Sequence, residues 1–490
     1  SFCSAAAALW EITGTRRLAM GGLRMGAVLA GARVAEVDPS HLVFWEPSLG
    51  GARYTKELEF AAAAARGNAS AATESAESDG VQSSGFHFTD ETLGDLRSLE
   101  AFVPSGPVPA VLVLHRDDRP ARQYAPKVGE ARADVTVQAT PGYSRMMIRP
   151  AMSAPPRKTY DQVAAWLTER SEEADAQEAH AAAPHALESV LCGERRTAGR
   201  VDRVVRIGPE RRIFGVVTGP EHGRCLSRLL LLSGGAVPRT AVNGMYVMLA
   251  RRLVEAGVST LRMDVAGIGE SEVGPGGVEN EPYGPTLLDD VREGVVWMRE
   301  HVDGRGLTVA GLCSGAWAAL RSALAHDSVD GVAMVNPIVF GAGEGRAMDV
   351  GRWGTTPSLA VERSSAAEDF ERRFGPSLTR LARSAKRTLR ALRAHGTPPA
   401  RELRGDLRKL LARRTRVAVI FSAGDDGEAV FHTRVGRFVH RRLAARLDLA
   451  TFSPADHIFS ESTVRDAMLN WLVSWLTPSR NASERDRDRA

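Results

Sequence analysis

The sequence predicts an α/β protein whose main domain is a doubly wound, mostly parallel sheet. Three observations carry this expectation. Short β-rich runs alternate with helical periodicities from Val201 to Leu476, the rhythm of strand–helix–strand units. Leu229–Leu232 is wholly apolar, as a strand covered on both faces must be. Residues 307–320, LTVAGLCSGAWAAL, run from a strand through a glycine-flanked turn straight into an apolar helix.

The elements follow in order. Val201–Ile207 and Arg212–Val217 flank a Gly-Pro turn and form an antiparallel hairpin. After Leu229–Leu232 comes a helix over Met245–Ala256, stopped by Gly257. Val258–Met263 is the next strand, ending at Asp264; Leu287–His301 is a helix and Leu307–Ala310 a strand. Val329–Asn336 and Arg416–Ser422 supply further strands, and Ala467–Leu476 a closing helix.

Bulk properties bound the rest. The chain has 490 residues, which predicts two or three domains. Hydrophobic residues are 43% and charged ones 25%, enough apolar side chain for real cores. A net charge of +4 gives no reason to expect a nucleic-acid partner. Four widely spaced cysteines (Cys3, Cys192, Cys225, Cys313) form no CxxC pair. They fit a reducing compartment, so a cytoplasmic location without metal or cofactor is expected. No apolar run reaches 18 residues, so no membrane-spanning helix is expected. Arg16–Ala35 has paired arginines before an apolar stretch, but it starts late and Arg24 interrupts it, which argues against an export signal.

Composition breaks set the expected boundaries. Residues 61–84 are small and polar and read as a flexible loop; 168–183 are acidic and Ala-rich, suited to a solvated helix or linker. The expected division is a first unit over 1–160, a linker over 161–190, the main domain over 191–477 and a disordered tail over 478–490.

Gly311-Leu312-Cys313-Ser314-Gly315 has the layout of a nucleophile elbow. The apex residue is strained, and the residues two places either side must be tiny so that backbones can pass. Glycines satisfy this around Cys313; with Ser314 at the apex, Leu312 would fall where bulk is not tolerated. The start of a helix also favours a thiolate. The N–H of Ser314 is one expected oxyanion donor, and the loop Ser233-Gly234-Gly235-Ala236 supplies the other, assigned to Gly235. After strand residues 417–422 come Asp425 and Asp426, and His457 follows LDLATFSPAD. Nucleophile, acid and histidine thus occur in the order this architecture requires. Asp425 is the first choice of acid and Asp426 the alternative. The loop Asp264–Ser271 is glycine-rich, but its spacing and the absence of a following Lys-Ser/Thr exclude a phosphate-binding reading.

With these motifs in place, the chain resembles the serine-aminopeptidase-like branch of the α/β hydrolases. GGAVPRTAVNGMYVMLARRL, DVAGIGES and GLCSGA are similar to the hydrolases that accompany exosortase and exopolysaccharide gene clusters. The resemblance covers about 270 residues and implies Cys313 as nucleophile, Asp425 as acid and His457 as base. Dienelactone hydrolases are similar in carrying a cysteine at the elbow. The first unit resembles a degenerate relative. Gly22-Leu23-Arg24-Met25-Gly26 is again an elbow, with Arg24 at the apex; His41–Trp45 and Ala110–His115 follow as strands, the latter ending near Asp117 and Asp118. PGYSRMM and a helix over Asp161–Leu167 close it, and no histidine lies between His115 and His180. An arginine cannot attack a carbonyl, so this unit is expected to be inactive. It opens at its elbow, and the chain opens on Ser, so a processed or partial start is among the expectations.

A lid is expected at about 341–415. Leu378, Leu381, Ala385, Leu389 and Leu392 make an apolar stripe, and residues 371–416 hold 15 Lys or Arg against 3 Asp or Glu, a net of +12. Arg383, Lys386, Arg387 and Arg390 are the expected substrate-facing lid residues. The surface suits an anionic or carrier-bound acyl substrate, or peripheral contact with a membrane. The expected chemistry is hydrolysis of an ester, thioester or lactone through an acyl-cysteine. The alternatives are acyl transfer to a polysaccharide or lipid precursor, and a scaffold that has lost turnover.

Overall fold

A computed structural model describes residues 2–14, 17–68, 79–83, 85–100, 104–118, 134–147, 153, 155–175, 193–223, 225–343, 398–443 and 447–477. The chain forms two compact units, residues 1–148 with 153–191 and residues 149–152 with 192–490.

The first unit contains α1 (Phe2–Thr13), β1 (Ala19–Leu23), α2 (Met25–Gly31), α3 (Val34–Val37), β2 (His41–Trp45), α4 (Gly51–Asn68), β3 (Val81–Ser83), β4 (Phe86–Phe88), α5 (Asp90–Ser98), β5 (Ala110–Arg116), β6 (Asp134–Thr140), α6 (Tyr143–Met146) and α7 (Arg157–Asp175). Its principal sheet has the order β1-β2-β5-β6, all parallel. Val111 and Val113 of β5 enter one core and Ala110, Leu112 and Leu114 the other, so this strand has no solvent face and no reason to alternate. One expectation is corrected here: residues 61–68, read as loop, continue α4, while residues 168–175, read as a solvated helix or linker, are the helical continuation of α7. Both stretches are rich in Ala or Glu, which favour helix without needing an apolar period.

The second unit contains β7 (Glu194–Thr197), β8 (Arg200–Ile207), β9 (Ile213–Pro220), β10 (Ser227–Leu232), α8 (Met245–Glu255), β11 (Val258–Met263), α9 (Leu287–His301), β12 (Leu307–Leu312), α10 (Ser314–Ala325), β13 (Gly331–Val335), α11 (Pro398–Ala412), β14 (Arg416–Ser422), α12 (Asp426–Leu443), β15 (Leu447–Phe452) and α13 (Ser462–Leu476). The sheet order is β15-β14-β13-β12-β10-β11-β9-β8-β7. Strands β10 to β15 are mutually parallel, while β9 pairs antiparallel with both β11 and β8. This is the α/β-hydrolase fold. Leu230 and Leu232 face one core and Leu229 and Leu231 the other, each burial contributing about 2 kcal/mol. The chain leaves β10 for β11 and then crosses back to β12, so β10 and β12 lie side by side, with Leu232 opposite Gly311. Loops at their carboxyl ends therefore meet at the switch point, where such sheets bind ligands.

Of the expected lid, the described part is residues 341–343 and 398–415, the latter opening with α11, whose Leu403, Leu407 and Leu410 are buried. Arg383, Lys386, Arg387 and Arg390, like Cys192, lie outside the described residues. Among the described residues, no helix is long and apolar enough to cross a membrane.

Candidate active site

Cys313 caps α10 at φ 56°, ψ −114°, a conformation that costs an ordinary residue energy and persists only when the surroundings impose it. The surroundings are identifiable. Cys313 N donates to Val335 O at 2.9 Å on the neighbouring strand. A Cβ on Gly311 would sit 2.2 Å from the Gly315 backbone, and one on Gly315 would sit 2.2 Å from Leu232 O. The glycines of the motif are thus required by backbone crossing on both sides of the apex.

The ends of β14 and β15 bring Asp425 and His457 together, with His457 beside Cys313. Beyond β14, Asp425 accepts a hydrogen bond from Gly427 N at 2.8 Å through Oδ1 and lies 2.6 Å from His457 Nδ1 through Oδ2. The Asp425 side chain is buried and His457 less than a third exposed. Asp426, the alternative acid, makes no hydrogen bond to the imidazole; burial and the adjacent Asp425 charge raise its carboxyl above the usual range. His457 Nε2 is buried and has no hydrogen-bond partner of ordinary geometry, while the Cys313 thiol is close enough to act on it. Burial alone would lower the imidazole's proton affinity. The hydrogen bonds and charges of Asp425 and Cys313 outweigh it and push the pKa up to about 10.

The two predicted oxyanion residues are also adjacent, but not as expected. Gly235 N donates to Ser314 Oγ at 2.8 Å, so this N–H is engaged by a side chain rather than presented to the cleft. The loop is nevertheless pressed onto the elbow: a Cβ on Gly234 would lie 2.3 Å from Leu312 O. Ser314 N is the first N–H of a helix, a position without an intrahelical acceptor.

Several contributors were not anticipated. Asn336, buried at φ 43° beyond β13, accepts from Ser422 N at 2.8 Å and donates to His457 O at 2.7 Å, tying the acid's strand to the histidine's loop. Tyr246 donates to Leu232 O at 2.9 Å beneath the site, and burial holds its phenol well above the usual range. Tyr283 stands edge-on to Trp317 with ring centroids 5.5 Å apart. Burial and the nearby Cys313 raise its phenol as well. Trp317 lies one helical turn beyond the elbow and donates to Gly341 O at 2.9 Å. A strand-end Asn and two Tyr among apolar neighbours give no sequence signal that separates them from core. Cys225 and Cys3 are bonded elsewhere, to Ser227 O and Glu36 respectively.

No protein-family model matches the chain, and no curated protein matches it. Solved structures do. A dienelactone hydrolase from Anabaena variabilis is 13% identical, with 57% of this chain and 97% of that one covered at a TM-score of 0.34. An esterase from Pyrococcus furiosus is 13% identical, covering 56% and 91% at 0.35. A lidless α/β serine hydrolase from Xanthomonas campestris is 17% identical, covering 58% and 98% at 0.32. These likenesses are remote; strand order and pairing define the fold by themselves.

Proposed function

We propose that the second unit hydrolyses an ester, thioester or lactone through an acyl intermediate on Cys313. The observation that carries this reading is the Asp425–His457 contact of 2.6 Å, with the opposite face of the imidazole buried beside the thiol at the elbow's apex. Asp425 fixes the Nδ1–H tautomer and stabilises imidazolium. His457, as imidazolium, holds on Nε2 the proton given up by the Cys313 thiol while Sγ attacks the carbonyl carbon. The oxyanion so formed is met by Ser314 N–H, and by Gly235 N–H once it leaves Ser314 Oγ. As the C–O or C–S bond breaks, His457 returns the proton to the leaving group. It then takes a proton from water, which attacks the acyl-Cys313 and releases the acid.

The test is turnover of p-nitrophenyl esters and acyl thioesters by the full chain beside Cys313→Ala and His457→Ala. Both variants should lose about 10³-fold or more in kcat, and iodoacetamide at neutral pH should label Cys313 ahead of Cys3 and Cys225. Turnover surviving in Cys313→Ala refutes the nucleophile assignment.

A further inference from the structure

We propose that Asp264 is a positioning residue for the oxyanion-hole loop, acting on it through Arg239; the inference rests on the acyl-Cys313 reading above. Asp264 follows β11 and its side chain has no exposed surface. A carboxylate so placed is costly unless fully paired. Its pairing is directed at one residue: Arg239 gives both its backbone N–H, to Oδ1, and its guanidinium, to Oδ2 at 2.7 Å. Glu270 N adds a third donor at 3.1 Å. Burial raises the Asp264 carboxyl, and these donors pull it back toward the ionised form.

The glycine-rich loop that follows β11 is built around this pair. A Cβ on Gly269 would lie 2.3 Å from Asp264 Oδ2, so only glycine leaves room for the carboxylate there. Ser271 Oγ donates to Asp264 O at 2.7 Å and accepts from Phe214 N at 2.8 Å, fixing the loop to β9. The Arg239 guanidinium stacks 4.4 Å above the Phe214 ring and pairs with Glu270 at the surface. Residues 264–271 are therefore a socket for Arg239.

Arg239 is four residues beyond Gly235 on the loop that leaves β10. The stretch between them is short and itself cross-tied, with Ser233 Oγ donating to Pro238 O at 2.8 Å. Pulling Arg239 from its socket would move Gly235 relative to Ser314. A displacement near 1 Å at such a donor is enough to cost a large rate factor. Asp264 touches neither thiol nor imidazole, so its loss should leave the chemistry of Cys313 itself unaltered.

The test measures two rates on the full chain for Arg239→Gln, Asp264→Asn and the double variant: kcat on a p-nitrophenyl ester, and alkylation of Cys313 by iodoacetamide. Each single variant should lower kcat about tenfold, and the double variant should be no worse than the poorer single one. Alkylation should stay within about twofold of the parent, and Arg239→Lys should recover part of the loss. An unchanged kcat in Arg239→Gln overturns the inference. Alkylation falling in step with kcat overturns it too, because it marks general loss of structure. Arg239→Gln alone decides the matter if Asp264→Asn does not fold. A parent without Cys313-dependent turnover would instead remove the reading beneath it.

Discussion

The two units carry the same bend with different residues at its apex. Arg24 sits at φ 56°, ψ −118° and Cys313 at φ 56°, ψ −114°. Arg24 N donates to Trp45 O at 3.0 Å, as Cys313 N does to Val335 O at 2.9 Å. A Cβ on Gly22 would meet the Gly26 backbone at 2.2 Å, matching Gly311 against Gly315. Even the next strand end agrees: Glu46, buried at φ 40°, accepts from Arg116 N at 3.0 Å where Asn336, at φ 43°, accepts from Ser422 N. The partners of the apex side chain differ. Arg24 pairs with Glu57, and Cys313 has the imidazole of His457. Backbone strain at an elbow is thus a property of how strand, turn and helix pack. Under the proposed function, chemistry is added by the apex side chain and by the Asp425 and His457 that follow β14 and β15.

The largest effect that would sharpen this contrast comes from the acid. Asp425→Asn keeps shape but no longer holds the Nδ1–H tautomer, so kcat should fall about 10³-fold. Stability should respond as well. His457 has a folded pKa of about 10 against an ordinary 6.5, so it contributes stability that is fully present below pH 6.5 and is lost as pH rises toward 10. Removing the Asp425 charge lowers the folded pKa and shrinks that contribution. Thermal melts should therefore separate parent from Asp425→Asn most at pH 6 and converge near pH 10. A constant gap across this range would show that the imidazole's proton is not what the aspartate stabilises.

The elbows themselves offer the next effect. Gly22→Ala and Gly311→Ala each force a Cβ into backbone that cannot move aside, and each should cost its own unit about 3 kcal/mol. Denaturant unfolding followed by limited proteolysis assigns the loss to a unit. The equality is the point: if Gly22→Ala were harmless, the first elbow would be a coincidence of angles rather than the same packing solution.

What could be read in the sequence follows the same division between local and tertiary causes. Cys313, Asp425 and His457 were legible because each follows a strand end, and the glycine spacing singles out the apex. β7 (Glu194–Thr197) has no apolar pattern, since it is a charged edge strand whose residues are largely exposed. The Arg239–Asp264 pair spans 25 residues and two loops, and the pairing exists only once β10 and β11 lie side by side. The engagement of Gly235 by Ser314 depends on a single rotamer, which no spacing rule encodes. Asn336 reads as the end of a strand and lies one residue past β13; its hold on the His457 loop is a tertiary fact.

The smallest effect concerns the residue after each apex, Met25 in the first unit and Ser314 in the second. Only the serine offers an acceptor, and it takes the Gly235 N–H at 2.8 Å. Ser314→Ala removes that acceptor but keeps the Ser314 backbone N–H. In the free protein the Gly235 N–H then lacks its partner, while in the transition state of the proposed reaction it can pair with the oxyanion. A hydrogen bond of this kind is worth about 1 kcal/mol, so kcat/KM should rise up to about fivefold. The loop should stay in place, since Arg239 and the Ser233–Pro238 contact hold it independently. A fall in kcat/KM would assign the hydroxyl the opposite part, a tether on which the oxyanion loop depends. The second elbow would then differ from the first by one more residue that catalysis requires.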